Sequence, residues 1–219
     1  MKNLILSLTV LIMVTSNVYA KHSYNNKYKG HYVSVSHLHK IFDIVKINSD
    51  VNQKALSEVF RYYEKNRYKK RLSPDYLSIA DYTKSATRKR LYIIDLHNGT
   101  VRNYMVAHGK NSGSKGGRVW RSSNKINSLM TPYGFFKVGT KEGITYKKRY
   151  RYLSVKGLQW NNRKVGEPTR KGGRDILLHT AKYVASGGRS YGCFAIKPQD
   201  KWSVFSKLKR ALLYSYTGR

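Results

Sequence analysis

The chain has 219 residues, with 43 Lys and Arg against 11 Asp and Glu, a formal charge of +32 at neutral pH, and one cysteine, Cys193. A single cysteine excludes an intramolecular disulfide, and the length admits one domain of ordinary size with terminal additions. The charge favours polyanionic partners through attraction and counterion release. Lys2 opens the chain, Leu4 to Val14 is almost wholly apolar, and Thr15 to Ala20 is small and polar, with Val18 and Ala20 at the minus-three and minus-one positions of a cut. That order predicts a signal peptide over 1–20, cleaved after Ala20, and an exported protein of the periplasm, cell wall or exterior. Retention as a membrane anchor is the competing reading, but spanning a bilayer takes about 20 apolar residues and this run is shorter. No second apolar run follows, so no transmembrane segment is expected in the mature chain. Outside a bacterium the polyanions are cell-wall carboxylates, lipopolysaccharide and teichoic acids, so anionic wall polymers are the expected partners and nucleic acid is not. A lone thiol in an oxidising compartment is a liability unless it is buried or used.

Residues 21–48 read as a basic flexible leader, rich in Lys, His, Tyr and Asn over Lys21 to Lys40. His22, His31, His37 and His39 lie there, without metal-ligand spacing to a carboxylate or cysteine, so no metal is expected. Residues 49–76 read as a helical segment: Ser49 caps a helix running to about Asn66, with Leu56, Val59, Phe60 and Tyr63 on its inner face. The basic stretch Arg61 to Arg71, interleaved with tyrosines, suits a solvated helix face or an anionic wall better than single-stranded nucleic acid. From Leu77 the period changes to that of strands, and 77–219 reads as one domain. Leu77 to Tyr82 and Leu91 to Leu96 are extended, Asn98-Gly99 is a hairpin turn, and Thr100 to Ala107 returns. Gly109 to Gly117, with four glycines, is a loop. Further strands are expected at Tyr133 to Val138, Tyr152 to Val155, Ile176 to His179 and Cys193 to Ile196. Lys201 to Tyr214 reads as a terminal amphipathic helix with Trp202, Phe205, Leu208 and Leu212 turned inward. The expected fold is mainly β, an antiparallel sandwich or barrel with flanking N- and C-terminal helices.

The chemistry concentrates in Asp175-Ile-Leu-Leu-His179-Thr180 and Gly187-Gly-Arg189-Ser190-Tyr191-Gly192-Cys193-Phe-Ala195. An apolar strand ends on a histidine, a glycine-rich loop follows, and a cysteine opens the next strand. A thiol of pKa about 8.5 is mostly protonated at neutral pH, so attack on a carbonyl needs a base within reach. Gly192 leaves room for an acyl group, and the N–H groups of Tyr191, Gly192 and Cys193 form a possible oxyanion site.

Ser190-Tyr-Gly192-Cys193, after a histidine that ends a strand, resembles the signature of the L,D-transpeptidase catalytic domain. Thr131-Pro-Tyr-Gly134-Phe-Phe resembles a Thr-Pro-x-Gly-x-Phe segment common in that family, and Leu91 to Asp95 with Val106 to Gly113 looks like one branch of it. The matches cover roughly Leu77 to Lys197. Departures are Thr180 where most relatives have Gly, Tyr191 where many have His, Phe194 in place of Pro, and Ala195 where many carry an Arg suited to a carboxylate.

The resemblance implies acyl transfer on peptidoglycan stem peptides without a cofactor. Cys193 is the implied nucleophile and His179 its base, with thioester formation and release of the terminal D-Ala. It also implies acylation by carbapenems. Thr180 is placed as the residue that orients His179. Arg189, Ser190, His108, Asn111, Ser112, Tyr133 and Trp160 are placed as substrate contacts. Two readings compete: a carboxypeptidase or hydrolase with the same Cys-His site, and a basic wall or nucleic-acid binding module with an inert thiol.

Overall fold

The computed structural model describes residues 32–218. The expected signal peptide at 1–20, the beginning of the leader, His22 and His31 lie outside the described residues. No helix of the described residues is long and apolar enough to cross a membrane.

The second half of the expected leader is a helix, α1 (Val35–Asn48). Ser34 caps it, its Oγ accepting the His37 N–H at 3.1 Å. Leu38, Ile41 and Val45 are buried on one face. Their period straddles the end of the Lys- and His-rich run, so composition over Lys21 to Lys40 hides it. Ser49 ends this helix instead of starting the next, its Oγ donating to the Val45 carbonyl at 2.6 Å. Asn52 caps α2 (Gln53–Asn66), whose buried face contains Leu56, Val59, Phe60 and Tyr63 as expected. The helices meet through an edge-on Phe42–Phe60 contact.

Eight strands form one sheet: β1 (Tyr76–Asp81), β2 (Leu91–Asp95), β3 (Val101–Tyr104), β4 (Gly134–Ile144), β5 (Arg151–Gly157), β6 (Leu177–Thr180), β7 (Phe194–Ile196) and β8 (Leu212–Tyr216). Their order is β3-β2-β1-β8-β4-β5-β6-β7. The protein is mainly β, as expected, but the sheet is mixed: β1–β8 and β6–β7 are parallel, and the other pairings are antiparallel. The segment after β3 turns back onto β7, with the Ala107 N–H donating to the Ala195 carbonyl at 2.9 Å. A bridge between Gly109 and Ser190 continues that seam, so the barrel is nearly closed.

The expected terminal helix is shorter than its apolar pattern suggested. Helix α3 (Lys201–Leu208) buries Val204, Phe205 and Leu208, while Trp202 is exposed. Arg210 then takes a positive φ of 64°, and the chain enters β8. All five residues of β8 are buried, between β1 and β4. An apolar run covered on both faces has no period of two, so Leu212 and Tyr214 read equally well as a continued helix. Phe136, Val138, Leu153, Leu178, Phe194 and Leu213 fill the interior, with α3 closing it.

Candidate active site

The register of β6 and β7 sets the site. Leu178 pairs with Phe194 and His179 with Ala195 in parallel. Cys193 immediately precedes β7, so the parallel pairing brings it beside the end of β6 that carries His179. Both line one cleft of about 460 Å³.

Each half of the pair is held by neighbours. Thr180 supplies the carbonyl 3.0 Å from His179 Nδ1. A carbonyl only accepts, so Nδ1 carries the proton and Nε2 is left as the free base. The Tyr150 ring stacks on the imidazole at 5.0 Å and 8°. Burial is the main influence on the imidazole and lowers its pKa, opposed by the Thr180 carbonyl. His179 is therefore neutral at neutral pH, the form that can accept a proton. Burial likewise pushes the Cys193 thiol up, opposed by the Leu177 N–H and the Arg174 guanidinium. The resting thiol is protonated and needs a base.

Ser190 shapes the loop before Cys193 and is itself buried. Its Oγ donates to the Cys193 carbonyl at 2.7 Å and accepts the Gly192 N–H at 3.0 Å. The Gly192 N–H is thus engaged, which corrects the expectation that three successive N–H groups converge on an oxyanion. Gly192 has φ +117°, and a Cβ there would stand 2.3 Å from Arg174 Nη2 and 2.7 Å from the Met130 carbonyl oxygen. The position requires glycine on both counts. Arg174 is buried and donates to the carbonyls of Ser123 and Met130, clamping two loops behind the nucleophile. Burial lowers its pKa to about 10, which leaves it cationic at neutral pH. Arg189 Nη1 donates to the carbonyls of Lys110 and Gly113, each at 3.2 Å.

The cleft takes in only part of the expected set. Cys193, His179, Arg189, Ser190 and Tyr191 line it; Thr180 and Gly192 adjoin these residues without lining it. His108 is fully buried behind the loop, its carbonyl accepting the Ser190 N–H at 2.8 Å. Its Nδ1 accepts from Arg90 Nη2 at 3.0 Å, and its Nε2 is buried without a hydrogen-bond partner. Asn111 donates to the Ser128 carbonyl at 3.0 Å, and the buried Ser112 Oγ accepts the Thr131 N–H at 2.7 Å. These three polar side chains brace the glycine-rich loop from within and do not form the cleft wall. Tyr133 and Trp160 line a different cleft, with Ser123 and Lys125.

Lys110, Lys115, Lys148, Tyr150 and Tyr183 are cleft residues that sequence reasoning missed. Lys148 and Tyr150 come from the β4–β5 hairpin, next to the Tyr152–His179 pairing. Only strand pairing brings them near His179, so no local pattern marks them. Lys110 sits over the Tyr191 ring at 4.8 Å. The lining is cationic and aromatic, with no carboxylate. Among the described residues no group of three or more His, Cys, Asp or Glu stands together as a metal site.

Comparison with known proteins adds a family relation. A family model described as the L,D-transpeptidase catalytic domain matches residues 47–216. No curated protein matches the chain. Among solved structures, the chain is similar to the helical cell shape determining protein Pgp2 from Campylobacter jejuni, with 16% identity and a TM-score of 0.42 over 66% of this chain and 49% of that one. It thus spans about half the length of Pgp2. It is similar also to an L,D-transpeptidase from Xylanimonas cellulosilytica, with 15% identity and a TM-score of 0.37 over 69% and 68% of the two chains. An L,D-transpeptidase from Mycobacterium tuberculosis H37Rv gives 13% identity and a TM-score of 0.35 over 65% and 58%.

Proposed function

The chain belongs to the L,D-transpeptidase catalytic-domain family, and from that premise we propose that it is an exported cysteine acyltransferase acting on peptidoglycan stem peptides. The observation that carries the reading is that His179 and Cys193 line one cleft, where β6 and β7 pair in parallel. His179 Nε2 takes the thiol proton as Cys193 Sγ attacks the carbonyl joining the L-centre of the diamino acid to the terminal D-Ala. The oxyanion is met by the N–H groups of Tyr191 and Cys193, since that of Gly192 is engaged with Ser190. Protonated His179 then gives its proton to the leaving D-Ala amine, the C–N bond breaks and a thioester remains. An acceptor amine attacks that thioester, loses a proton to His179, and the sulfur leaves as thiolate and is reprotonated. The cations around the cleft suit a donor that carries carboxylates, and Tyr191 and Arg189 edge its path. The chain's first twenty residues direct it out of the cytoplasm, and its charge holds it to anionic wall polymers.

The experiment is mass spectrometry of the mature protein incubated with a defined disaccharide-tetrapeptide, with and without an added amine. The expected result is loss of one D-Ala, an acyl adduct on Cys193 and transfer to the amine. Release of a tripeptide despite excess amine makes the protein a carboxypeptidase. A thiol that stays unmodified returns it to the class of wall-binding modules.

A further inference from the structure

The cleft lined by Tyr133 and Trp160 has about 510 Å³ and shares no lining residue with the Cys193 cleft. Trp160 is 80% exposed, and a cation covers one face of its ring. The Arg163 guanidinium stacks on its ring at 3.2 Å, and Arg163 Nη1 donates to the Trp160 carbonyl at 3.2 Å. The short 3-10 turn that carries it, Trp160–Asn162, is fastened by the buried side chain of Asn162. Asn162 Nδ2 donates to the carbonyls of Phe135 (3.0 Å) and Tyr133 (3.4 Å), while its Oδ1 accepts the Gln159 N–H at 2.8 Å.

The opposite wall is tied to the same residue. Asn124 Oδ1 accepts the Tyr133 N–H at 3.1 Å, and Asn124 Nδ2 donates to the Tyr133 carbonyl at 3.2 Å. Two asparagines thus fix both walls on the backbone of Tyr133. The wall containing Ser123 continues to the nucleophile loop through Arg174, which donates to the Ser123 carbonyl and lies against Gly192. The result is a preformed groove with an exposed indole and a phenol, hydroxyl and amide groups, and the cations Lys125, Arg163 and Lys164. It has no carboxylate.

An exposed tryptophan on a turn fastened by a buried amide gains nothing for the fold, and a binding surface that needs only charge does not require it. Flat apolar faces with equatorial hydroxyl and amide groups are what a sugar ring offers to such a platform. We propose that this groove binds the glycan strand of the polymer whose stem peptide enters the Cys193 cleft, recognising N-acetylated amino sugars by stacking on Trp160. The inference rests on the acyl-transfer reading for the choice of polymer, while the binding itself is measurable without turnover.

The test uses the full mature chain, as wild type, Trp160→Ala and Trp160→Phe. Calorimetry with a peptide-free tetrasaccharide of N-acetylated amino sugars should detect binding to wild type. Affinity should fall about tenfold in Trp160→Ala and be largely kept in Trp160→Phe. Acylation of Cys193 should be faster with a disaccharide-linked tetrapeptide than with the sugar-free tetrapeptide, and Trp160→Ala should bring that ratio close to one. Equal tetrasaccharide affinity in wild type and Trp160→Ala overturns the proposal. So does the absence of sugar binding alongside retained binding of polyphosphate, which would make the groove a charge-driven polyanion site. Tryptophan-dependent sugar binding with no acylation by either donor supports the groove and sinks the acyl-transfer reading alone.

Discussion

The end of β6 and the segment that follows β3 each bury a histidine beside the nucleophile loop, and the two histidines do different work. His179 directs Nδ1 at the Thr180 carbonyl and lines the cleft. His108 directs Nδ1 at the Arg90 guanidinium, and its backbone carbonyl holds Ser190. Burial keeps both neutral. It lowers His179, and with help from Arg90 it lowers His108 to about 4. The state of protonation therefore does not separate a base from a brace. What separates them is the partner of Nδ1 and the place reached by Nε2: a donor at Nδ1 uses up the lone pair, whereas an acceptor there leaves the other lone pair to the cleft.

The most severe way to break the site is Cys193→Ala. Intact-mass analysis should give a folded protein with no adduct from either stem peptide or carbapenem, against one addition on wild type. His179→Ala should keep the sulfur and lose about 10²- to 10⁴-fold in acylation rate at neutral pH. Part of the rate should return only at alkaline pH above the ordinary thiol value of about 8.5, because burial holds this thiol higher. In wild type the base form is lost only as pH falls through a pKa held below the usual 6.5, so the acid limb of the rate profile should lie below that value. An acid limb above pH 6.5 would remove His179 from the role.

Ala195 sits between the two regions, paired with His179 on one side and accepting the Ala107 N–H on the other. It is fully buried with Ala107, Ala181 and Val184. Replacing it with Arg, the residue that many relatives carry there, should wedge the seam apart and give little folded protein, as measured by near-UV circular dichroism. Folding with unchanged stability would mean the seam is looser than its packing. Gly192→Ala should be milder, costing about 1–3 kcal/mol through its positive φ and its approach to Arg174. Denaturant unfolding and thiol reactivity should fall together.

The smallest effect on acylation should come from His108→Leu, which leaves Arg90 Nη2 without an acceptor and should cost about 1–3 kcal/mol of stability. The folded state holds fewer protons than the unfolded between pH 6.5 and about 4, because the folded pKa of His108 is the lower one. His108 therefore withdraws stability as pH falls through that window, and the variant should show a shallower loss there. Its acylation rate should keep the wild-type pH profile. A shifted profile would put His108 in the chemistry after all.

Much of this was legible in the chain, and the illegible parts were hidden by composition or by burial. Strands flanked by turns declared themselves, including the return at Gly99, which takes φ +77°. The face of α2 followed from a period of 3.6. The segment from Asp175 to Ala195 gave the order histidine, loop, cysteine, because strand end, glycine-rich turn and strand start are local features. The helix Val35–Asn48 was hidden by the composition around its start, and β8 by burial on both faces, which erases alternation.

The sequence by itself determined the chemistry available, one thiol and a few histidines, and the loop that brings Cys193 back to His179. Tertiary structure alone decided which histidine faces the cleft, because that depends on whether Arg90 or the Thr180 carbonyl lies opposite Nδ1. It also decided that Lys148 and Tyr150 join the site while Trp160 and Tyr133 lie in a separate groove. Local pattern is fixed by the steric and hydrogen-bonding needs of neighbouring residues. The neighbours of a side chain across a sheet are fixed by register, which only the whole core can select.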